Sequence, residues 1–234
     1  MSDTAPPDVA DVTVRQMFDA ISPRYNLMNR LMTLGQDRRW RRRVVQLARL
    51  APGGRLLDLG AGTGDIAITA ESAHPDLALV VAADFSRCMM RRAPAGATIS
   101  WCQVNALDLP FADESFDAVT SGYLARNVGR TALLRLFQEQ RRVLRRDGRV
   151  VCLDTTPPPP GLLSPLVRLH LRRIIPLLGR VVTGHPGAYR YLPQTTQGFV
   201  SPRELTEAMQ RAGLRDVVFE TRMLGTQAIH SALR

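Results

Sequence analysis

The stretch Arg55-Leu-Leu-Asp-Leu-Gly-Ala-Gly-Thr-Gly-Asp65 runs an apolar strand into a glycine-rich turn that opens a helix. Glycines at Gly60, Gly62 and Gly64 let the backbone turn sharply and approach a ligand where a Cβ would collide, while the helix that follows offers unpaired N–H groups. The spacing is D-x-G-x-G-x-G and not the G-x-G-x-x-G of a dinucleotide fold. Asp58, just before the turn, can accept a hydrogen bond from an ammonium group. The tight loop around Thr63 suits a nucleoside ligand without a pyrophosphate. A second acid, Asp84, ends the apolar run Leu77-Ala-Leu-Val-Val-Ala-Ala-Asp84, where a carboxylate can grip two ribose hydroxyls. A third strand, expected over 98–103, leads to Asn105-Ala106, whose Asn105 amide can bond an adenine edge while Leu107 or a neighbour packs on the ring. The ends of these strands face one cleft.

The elements that must hold these residues are legible. Phe116 to Gly122 reads as a fourth strand and Arg149 to Asp154 as a fifth, after an Asp147-Gly148 turn. Strands alternating with helical stretches predict an α/β fold with a doubly wound, mostly parallel sheet. Val14, Met17, Phe18 and Ile21 share one helical face, and Trp40, Val44 and Leu47 share another. Leu133, Phe137 and Leu144 point inward from an amphipathic helix. Pro157 to Pro160 interrupt the chain, since consecutive prolines continue neither helix nor central strand. Ser201-Pro-Arg-Glu204 is a capping box with proline at the first helical position, and Gly213 marks that helix's end. Asp216 to Leu233 reads as two strands of a hairpin-like edge. One domain is expected: a helical cap over 13–50, a cofactor-binding core over 51–156, an insertion over 157–200 forming a substrate lid, and a C-terminal helix and strands over 201–234.

Composition removes several chemistries. The net charge of +10 comes from arginine alone, for the chain has no lysine, which excludes Schiff-base catalysis and a P-loop. Cys88, Cys102 and Cys152 are scattered, with the last two on apolar strands, so they read as core residues in a reduced compartment and not as disulfides or metal ligands. No metal is expected. Runs such as Arg38-Arg-Trp-Arg-Arg-Arg43, and Arg141-Arg142 with Arg145-Arg146 on another helix, read as solvated faces. The apolar, arginine-bearing stretch 162–182 is no membrane span, because Arg168, Arg172 and Arg173 would each cost roughly 2.5–3.5 kcal/mol at a bilayer centre. It reads as a lid over an apolar substrate, as a peripheral contact with a membrane surface, or as a plain helical cover. Residues 1–12 carry no secretion signal, so a cytoplasmic protein is expected, with peripheral contact at the inner face of the membrane.

The glycine turn resembles that of class I S-adenosylmethionine-dependent methyltransferases. More specifically, Val14-Arg-Gln-Met-Phe-Asp-Ala-Ile-Ser-Pro-Arg-Tyr-Asn-Leu-Met-Asn29, Gly35, Arg39-Trp-Arg-Arg42, Gly62-Thr-Gly-Asp65, Leu109-Pro-Phe111, Arg126-Asn-Val128, Pro176-Leu-Leu-Gly179, Ala188-Tyr-Arg-Tyr-Leu-Pro193 and Ala228-Ile-His230 resemble, in order, the ubiquinone/menaquinone biosynthesis C-methyltransferases. The resemblance covers residues 13 to 230. It implies a Rossmann-like, seven-stranded sheet with an antiparallel C-terminal strand, S-adenosyl-L-methionine as cofactor, and methyl transfer to a ring carbon of a polyprenylated quinol. It further implies that Arg126, Asn127 and Tyr25 contact the reacting ring. An arginine is a poor proton acceptor, so Arg126 is assigned to stabilising a developing phenolate, and Asn127 and Tyr25 to orientation. His170 and His185 are candidate bases, and His230 reads as a core residue.

The chain departs from the family at Leu124-Ala125, Gly129-Arg130, Asp154-Thr-Thr156, Thr195 and Phe199-Val200. The choice between naphthoquinol and benzoquinol, a specialised small-molecule acceptor, and homodimer formation stay open at this level. A nucleic-acid methyltransferase would account for the basic charge, yet the Asn/Asp-Pro-Pro-aromatic segment used on exocyclic amines is absent after the fourth strand, as is any RNA-binding module.

Overall fold

The computed structural model describes residues 24–94, 98–157, 173 and 199–234. Seven strands form one sheet in the order β3-β2-β1-β4-β5-β7-β6. They are β1 (Arg55–Leu59), β2 (Leu79–Asp84), β3 (Ser100–Gln103), β4 (Phe116–Gly122), β5 (Leu144–Thr155), β6 (Arg215–Arg222) and β7 (Gln227–Leu233). β1 to β5 run parallel, with Asp58 of β1 beside Ala82 of β2 and Thr120 of β4. The central strands read as unbroken apolar runs because both their faces are covered: Leu56, Leu57 and Leu59 are fully buried. From β1 the chain winds outward to β2 and β3, then returns to add β4 and β5 on the other side. Strand order therefore reverses between β1 and β4, and their carboxyl ends flank the crevice where doubly wound folds take ligands.

Two details differ from the sequence reading. The Asp147-Gly148 turn does not precede β5 but lies inside it. Asp147 adopts φ +62°, and the register with β4 breaks between Phe116 and Ala118, so the turn is absorbed as a bulge. Of the final hairpin only β6 is an edge. β7 pairs antiparallel with both β5 and β6, with Cys152 opposite His230, and is buried along nearly its whole length. Its small and apolar residues suit two covered faces, whereas β6 is exposed or half-buried throughout. His230 is indeed core: it is fully buried, its Nε2 lies 2.9 Å from the Pro202 carbonyl, and burial lowers its pKa to about 4.

Helices cover both faces. On one, α1 (Tyr25–Met32) and α2 (Asp37–Ala48) precede the sheet, and α3 (Asp65–Ala73) follows β1. Trp40, Val44, Val45 and Ala48 of α2 pack with Ile66, Ala67 and Ala70 of α3 and with Val151, Leu153 and Ile229 of the sheet. The short α4 (Arg87–Met90) follows β2, and α5 (Ala125–Val128) follows β4. On the other face lie α6 (Leu133–Val143) and α7 (Pro202–Arg211), whose Leu136, Phe137, Leu205 and Met209 join a cluster with Leu57, Val119 and Val150. α7 begins with the expected capping box, Ser201 and Glu204 exchanging hydrogen bonds with each other's backbone.

The arginine runs are not simply solvated. Arg145 and Arg146 sit on β5, not on a helix. Arg142 donates to Glu139, to Asp113 and to the carbonyls of Leu109 and Phe111, clamping the segment before β4 onto α6. Glu139 is 3% exposed and also accepts from the Leu109 N–H at 2.9 Å. Burial alone would raise its carboxyl, but the bonds from Arg142 and Leu109 outweigh it and hold the pKa below the ordinary value. A depressed acid stabilises the fold above its unfolded pKa of about 4.3 and loses that contribution as pH falls through the folded value. Arg142→Met, which leaves a buried carboxylate short of donors, should cost about 2–3 kcal/mol near neutral pH. Chemical denaturation at neutral pH and below pH 4 checks this, the deficit shrinking once Glu139 is protonated in both states.

Candidate active site

The glycine turn is held open by its neighbours. The N–H groups of Gly60 and Ala61 donate to the Ala83 carbonyl at 2.8 and 3.1 Å, and the N–H of Gly62 donates to Asp84 Oδ2 at 2.7 Å. Asp84 Oδ1 accepts from the Ser86 N–H at 2.7 Å. One carboxylate at the end of β2 thus ties the turn after β1 to the turn after its own strand. Gly62 (φ +58°) would direct a Cβ toward Met89, with 3.4 Å to its Cε. Gly64 (φ +81°) is closed to any side chain, since a Cβ there would collide with the Trp101 ring.

A cavity of about 1000 Å³, its open mouth included, lies at these strand ends. Gly60, Gly62 and Asp84 line one part, Asn105 and Ala106 another, and Gly122, Tyr123, Leu124 and Asn127 a third; Phe85, Met89, Val104 and Leu107 add apolar surface. Asn105 and Ala106, expected from sequence to meet an adenine, thus line the same cavity as Asp84. Asn105 Oδ1 accepts from the Leu107 N–H at 2.9 Å, which leaves the amide nitrogen as the group able to donate outward. A carboxylate facing apolar walls suits a ribose beside a flat base.

A smaller cavity of about 380 Å³ adjoins it behind the turn, lined by Arg41, Asp58, Gly60, Thr63, Asp65, Gly122 and Tyr123 among others. Asp58 is 1% exposed, and its two oxygens already accept from the Ala67 N–H at 3.1 Å and Thr120 Oγ1 at 2.9 Å. Its carboxylate spans from the first turn of α3 to β4, a structural task that the sequence reading did not assign it. Burial raises its pKa to about 7, against the opposing effect of those hydrogen bonds. Thr63 is also buried and binds inward, to Asn26 of α1 at 3.0 Å and to Asp65 at 3.1 Å. Arg41, read from sequence as part of a solvated run, is 8% exposed and pairs with Asp65 at 2.7 Å and Asp37 at 3.4 Å.

The acceptor-side residues separate. Asn127 lines the larger cavity and donates to the Tyr123 carbonyl at 2.8 Å. Arg126 lines neither cavity. Its guanidinium stands 5.3 Å from the Tyr123 ring centre, with Nε 3.7 Å from Asp154 Oδ1, and its side chain is 5% exposed. Nε and Nη1 have no hydrogen-bond partner among the described residues. Asp154 fixes the backbone here as well, accepting from the Arg126 N–H at 3.1 Å and the Thr155 N–H at 2.7 Å; burial raises its pKa to about 6, opposed first by the Arg126 charge. The side chain of Tyr25 and the whole of His170 and His185 lie outside the described residues, as do Arg168, Arg172 and most of the expected lid. Sequence reasoning missed Tyr123, which lines both cavities at φ +61°. Its place directly after the Gly122 strand end was the available signal. An aromatic residue in the left-handed region is costly, by roughly 1–3 kcal/mol, and such strain clusters at functional sites.

Comparison with known proteins gives this geometry its context. Residues 7–234 match the ubiE/COQ5 methyltransferase family. The chain belongs to that family. It is 47% identical over 220 residues to the ubiquinone/menaquinone biosynthesis C-methyltransferase UbiE of Desulfotalea psychrophila, covering 93% of this chain and 88% of that protein. It is 42% identical to the demethylmenaquinone methyltransferase of Thermus thermophilus, covering 92% and 98%. Among solved structures, a Haloferax volcanii methyltransferase in complex with its activator superposes with a TM-score of 0.67 at 17% identity, covering 94% and 96%. A phosphoethanolamine N-methyltransferase of Haemonchus contortus with S-adenosylhomocysteine also gives 0.67, at 15% identity over 94% of this chain and 60% of that one. The chain is an S-adenosylmethionine-dependent methyltransferase with the class I fold.

The strand-end acids carry a pH signature. A carboxyl whose folded pKa is raised stabilises the fold fully only below its unfolded pKa of about 3.9, and that contribution is lost as pH rises through the folded value. Asp58 thus makes the ligand-free protein less stable from about pH 4 to about pH 7, and Asp154 acts the same way up to about pH 6. His230, with its lowered pKa, works in the opposite sense over about pH 4 to 6.5. Asp58→Asn should therefore be increasingly stabilised relative to the unmodified protein as pH rises from 4 to 7, which thermal melts across that range will read.

Proposed function

We propose that this protein transfers a methyl group from S-adenosylmethionine to a ring carbon of a polyprenylated quinol, with demethylmenaquinol as the acceptor. The observation that carries this reading is that relatives covering nearly the whole chain at 41–42% identity are named demethylmenaquinone methyltransferase. The name of the Desulfotalea psychrophila relative favours a second reading in which a benzoquinol is also accepted.

In this proposal Asp84 holds the ribose, Asn105 and Ala106 meet the base, and Gly60, Gly62 and Gly64 admit the remainder of the cofactor. Thr63 and Asp58 bound the smaller cavity that receives its amino-acid end. The bound cofactor supplies a methyl group on an electron-deficient sulfonium, so the protein needs to align an attacking carbon and make it nucleophilic. Loss of the quinol hydroxyl proton does the second. Arg126 stays charged and accepts no proton. Its two unsatisfied nitrogens support a role as donors to an oxygen brought by the acceptor or by water, because buried guanidinium groups are otherwise paired. Asp154 and the Tyr123 ring hold that guanidinium, while Asn127 and Tyr25 orient the ring. The insertion 157–200 covers the prenyl tail.

Asp84→Ala should weaken cofactor binding by about 1.5–3 kcal/mol, as expected for lost bonds to a charged group, and titration calorimetry measures it. Unchanged affinity would remove Asp84 from the ribose site. For the acceptor, Arg126→Ala should lower kcat by about 10²–10³ with cofactor affinity nearly intact, and Arg126→Lys should restore part of it. The assay uses reduced and oxidised acceptors side by side. Equal turnover of the oxidised form, which has no hydroxyl to deprotonate, would contradict the reaction.

A further inference from the structure

α1 is apolar on two faces. Met28 and Met32 point inward and are buried with Asn29 and Thr33, while Asn26 reaches Thr63 beneath. Leu27, Leu31 and Leu34, at the spacing of one helical stripe, face outward and are 49%, 38% and 77% exposed. A helix whose outer stripe is also apolar is built for something other than water. Leu34 sharpens the point. It is the left-handed residue that ends α1: its N–H donates to the Leu31 carbonyl and the Gly35 N–H to the Arg30 carbonyl, a Schellman arrangement with Leu34 at φ +53°. Glycine or asparagine serves that position without strain. Here a leucine occupies it and has little packing to compensate.

The sequence around this stripe is basic. Between Arg24 and Leu50 the sole acid is Asp37, which is 1% exposed and engaged with Arg41 and Thr33. Arg30, Arg38, Arg39 and Arg42 are exposed and meet no acid among the described residues. A second copy of the chain using the same patch would set these arginines against their like, which disfavours a symmetric dimer there. Apolar side chains on a helix that also exposes Arg30, and that leads directly into the exposed arginines of α2, match the interface of an anionic bilayer, where leucines enter the acyl boundary and cations meet headgroups.

We propose that the outer face of α1, with the start of α2, docks this protein on an anionic phospholipid surface. The glycine turn would then lie beside the helix that contacts the lipid, joined to it by the bond from Thr63 to Asn26. This goes beyond the quinol reading and does not rest on it, because binding to lipid is read without turnover.

The test is flotation of the full chain with phosphatidylglycerol–phosphatidylcholine vesicles against phosphatidylcholine alone, at low and raised salt. Binding to the anionic vesicles that weakens with salt is expected. Leu34→Asn is the sharpest variant, because asparagine suits the left-handed backbone and keeps the fold; it should weaken binding about tenfold. Arg38→Gln and Arg42→Gln should each weaken it about fivefold. Melting temperatures of the variants confirm that the loss is of the surface and not of the fold. No affinity for anionic vesicles, equal binding by Leu34→Asn, or binding that appears only after residues 1–23 are removed would overturn the proposal, the last by assigning the face to that segment.

Discussion

A parallel sheet leaves the backbone N–H groups of the turns and helix starts after its strands without ladder partners, and in this protein carboxylates at the strand ends take them. Asp58 on β1 accepts from Ala67 in α3, Asp84 on β2 from Gly62 and Ser86, and Asp154 on β5 from Arg126 and Thr155. Each acid therefore works on a turn or helix start at the same end of the sheet. The cleft exists because these short bonds fix where the turns go while leaving the space between them open.

That arrangement has a cost which explains the electrostatics. Two of the three acids are fully enclosed, and burial lifts Asp58 to about 7 and Asp154 to about 6. A charge in low dielectric is tolerated when hydrogen bonds and a countercharge surround it. Asp154 has the Arg126 guanidinium, whereas Asp58 has only neutral donors and a more distant Arg41. The Tyr123 backbone carries strain at the same level of the sheet. Carboxyls with raised pKa values, an incompletely bonded guanidinium and a left-handed aromatic residue are concentrated within one end of the sheet, as expected where structure gives way to function.

The residues that line the larger cavity from the ends of β1, β2 and β3 were largely legible in sequence because their signals are local. Gly60 to Gly64, Asp84 and Asn105-Ala106 each follow directly from a strand end, and strand ends are visible as apolar runs that stop. The doubly wound, mostly parallel sheet followed from alternation with helices, and its seven strands with an antiparallel C-terminal one from resemblance. What escaped depends on contacts distant in sequence. Arg41 looked like one more residue in a basic run until α2 packed on α3 and brought Asp65 to it. Arg142 looked solvated until the chain before β4 folded back with Asp113 and two carbonyls. Nothing in the spacing of Asp58 announced Thr120, which is brought beside it by strand pairing. The bulge at Asp147 was read as a turn because Asp-Gly serves both purposes.

The helical cap is fastened unevenly to the core. α2 is fastened to the core by buried Trp40, Val44 and Val45, and its polar ties run to the middle and to one edge of the sheet: Arg41 to Asp65 at the start of α3, after the central β1, and Arg43 to Glu220 on the edge strand β6 at 2.9 Å. α1 is fastened more lightly, by Met28 and Met32 and by the bond from Thr63 to Asn26. A displacement of α1 would therefore disturb the glycine turn through Thr63 while leaving the sheet intact. α1, which carries Tyr25 and the exposed leucines and adjoins the glycine turn, is thus held to the core by fewer described contacts than α2. Among the described residues, the hydroxyl-to-amide bond from Thr63 to Asn26 is the hydrogen bond that joins α1 to the glycine turn.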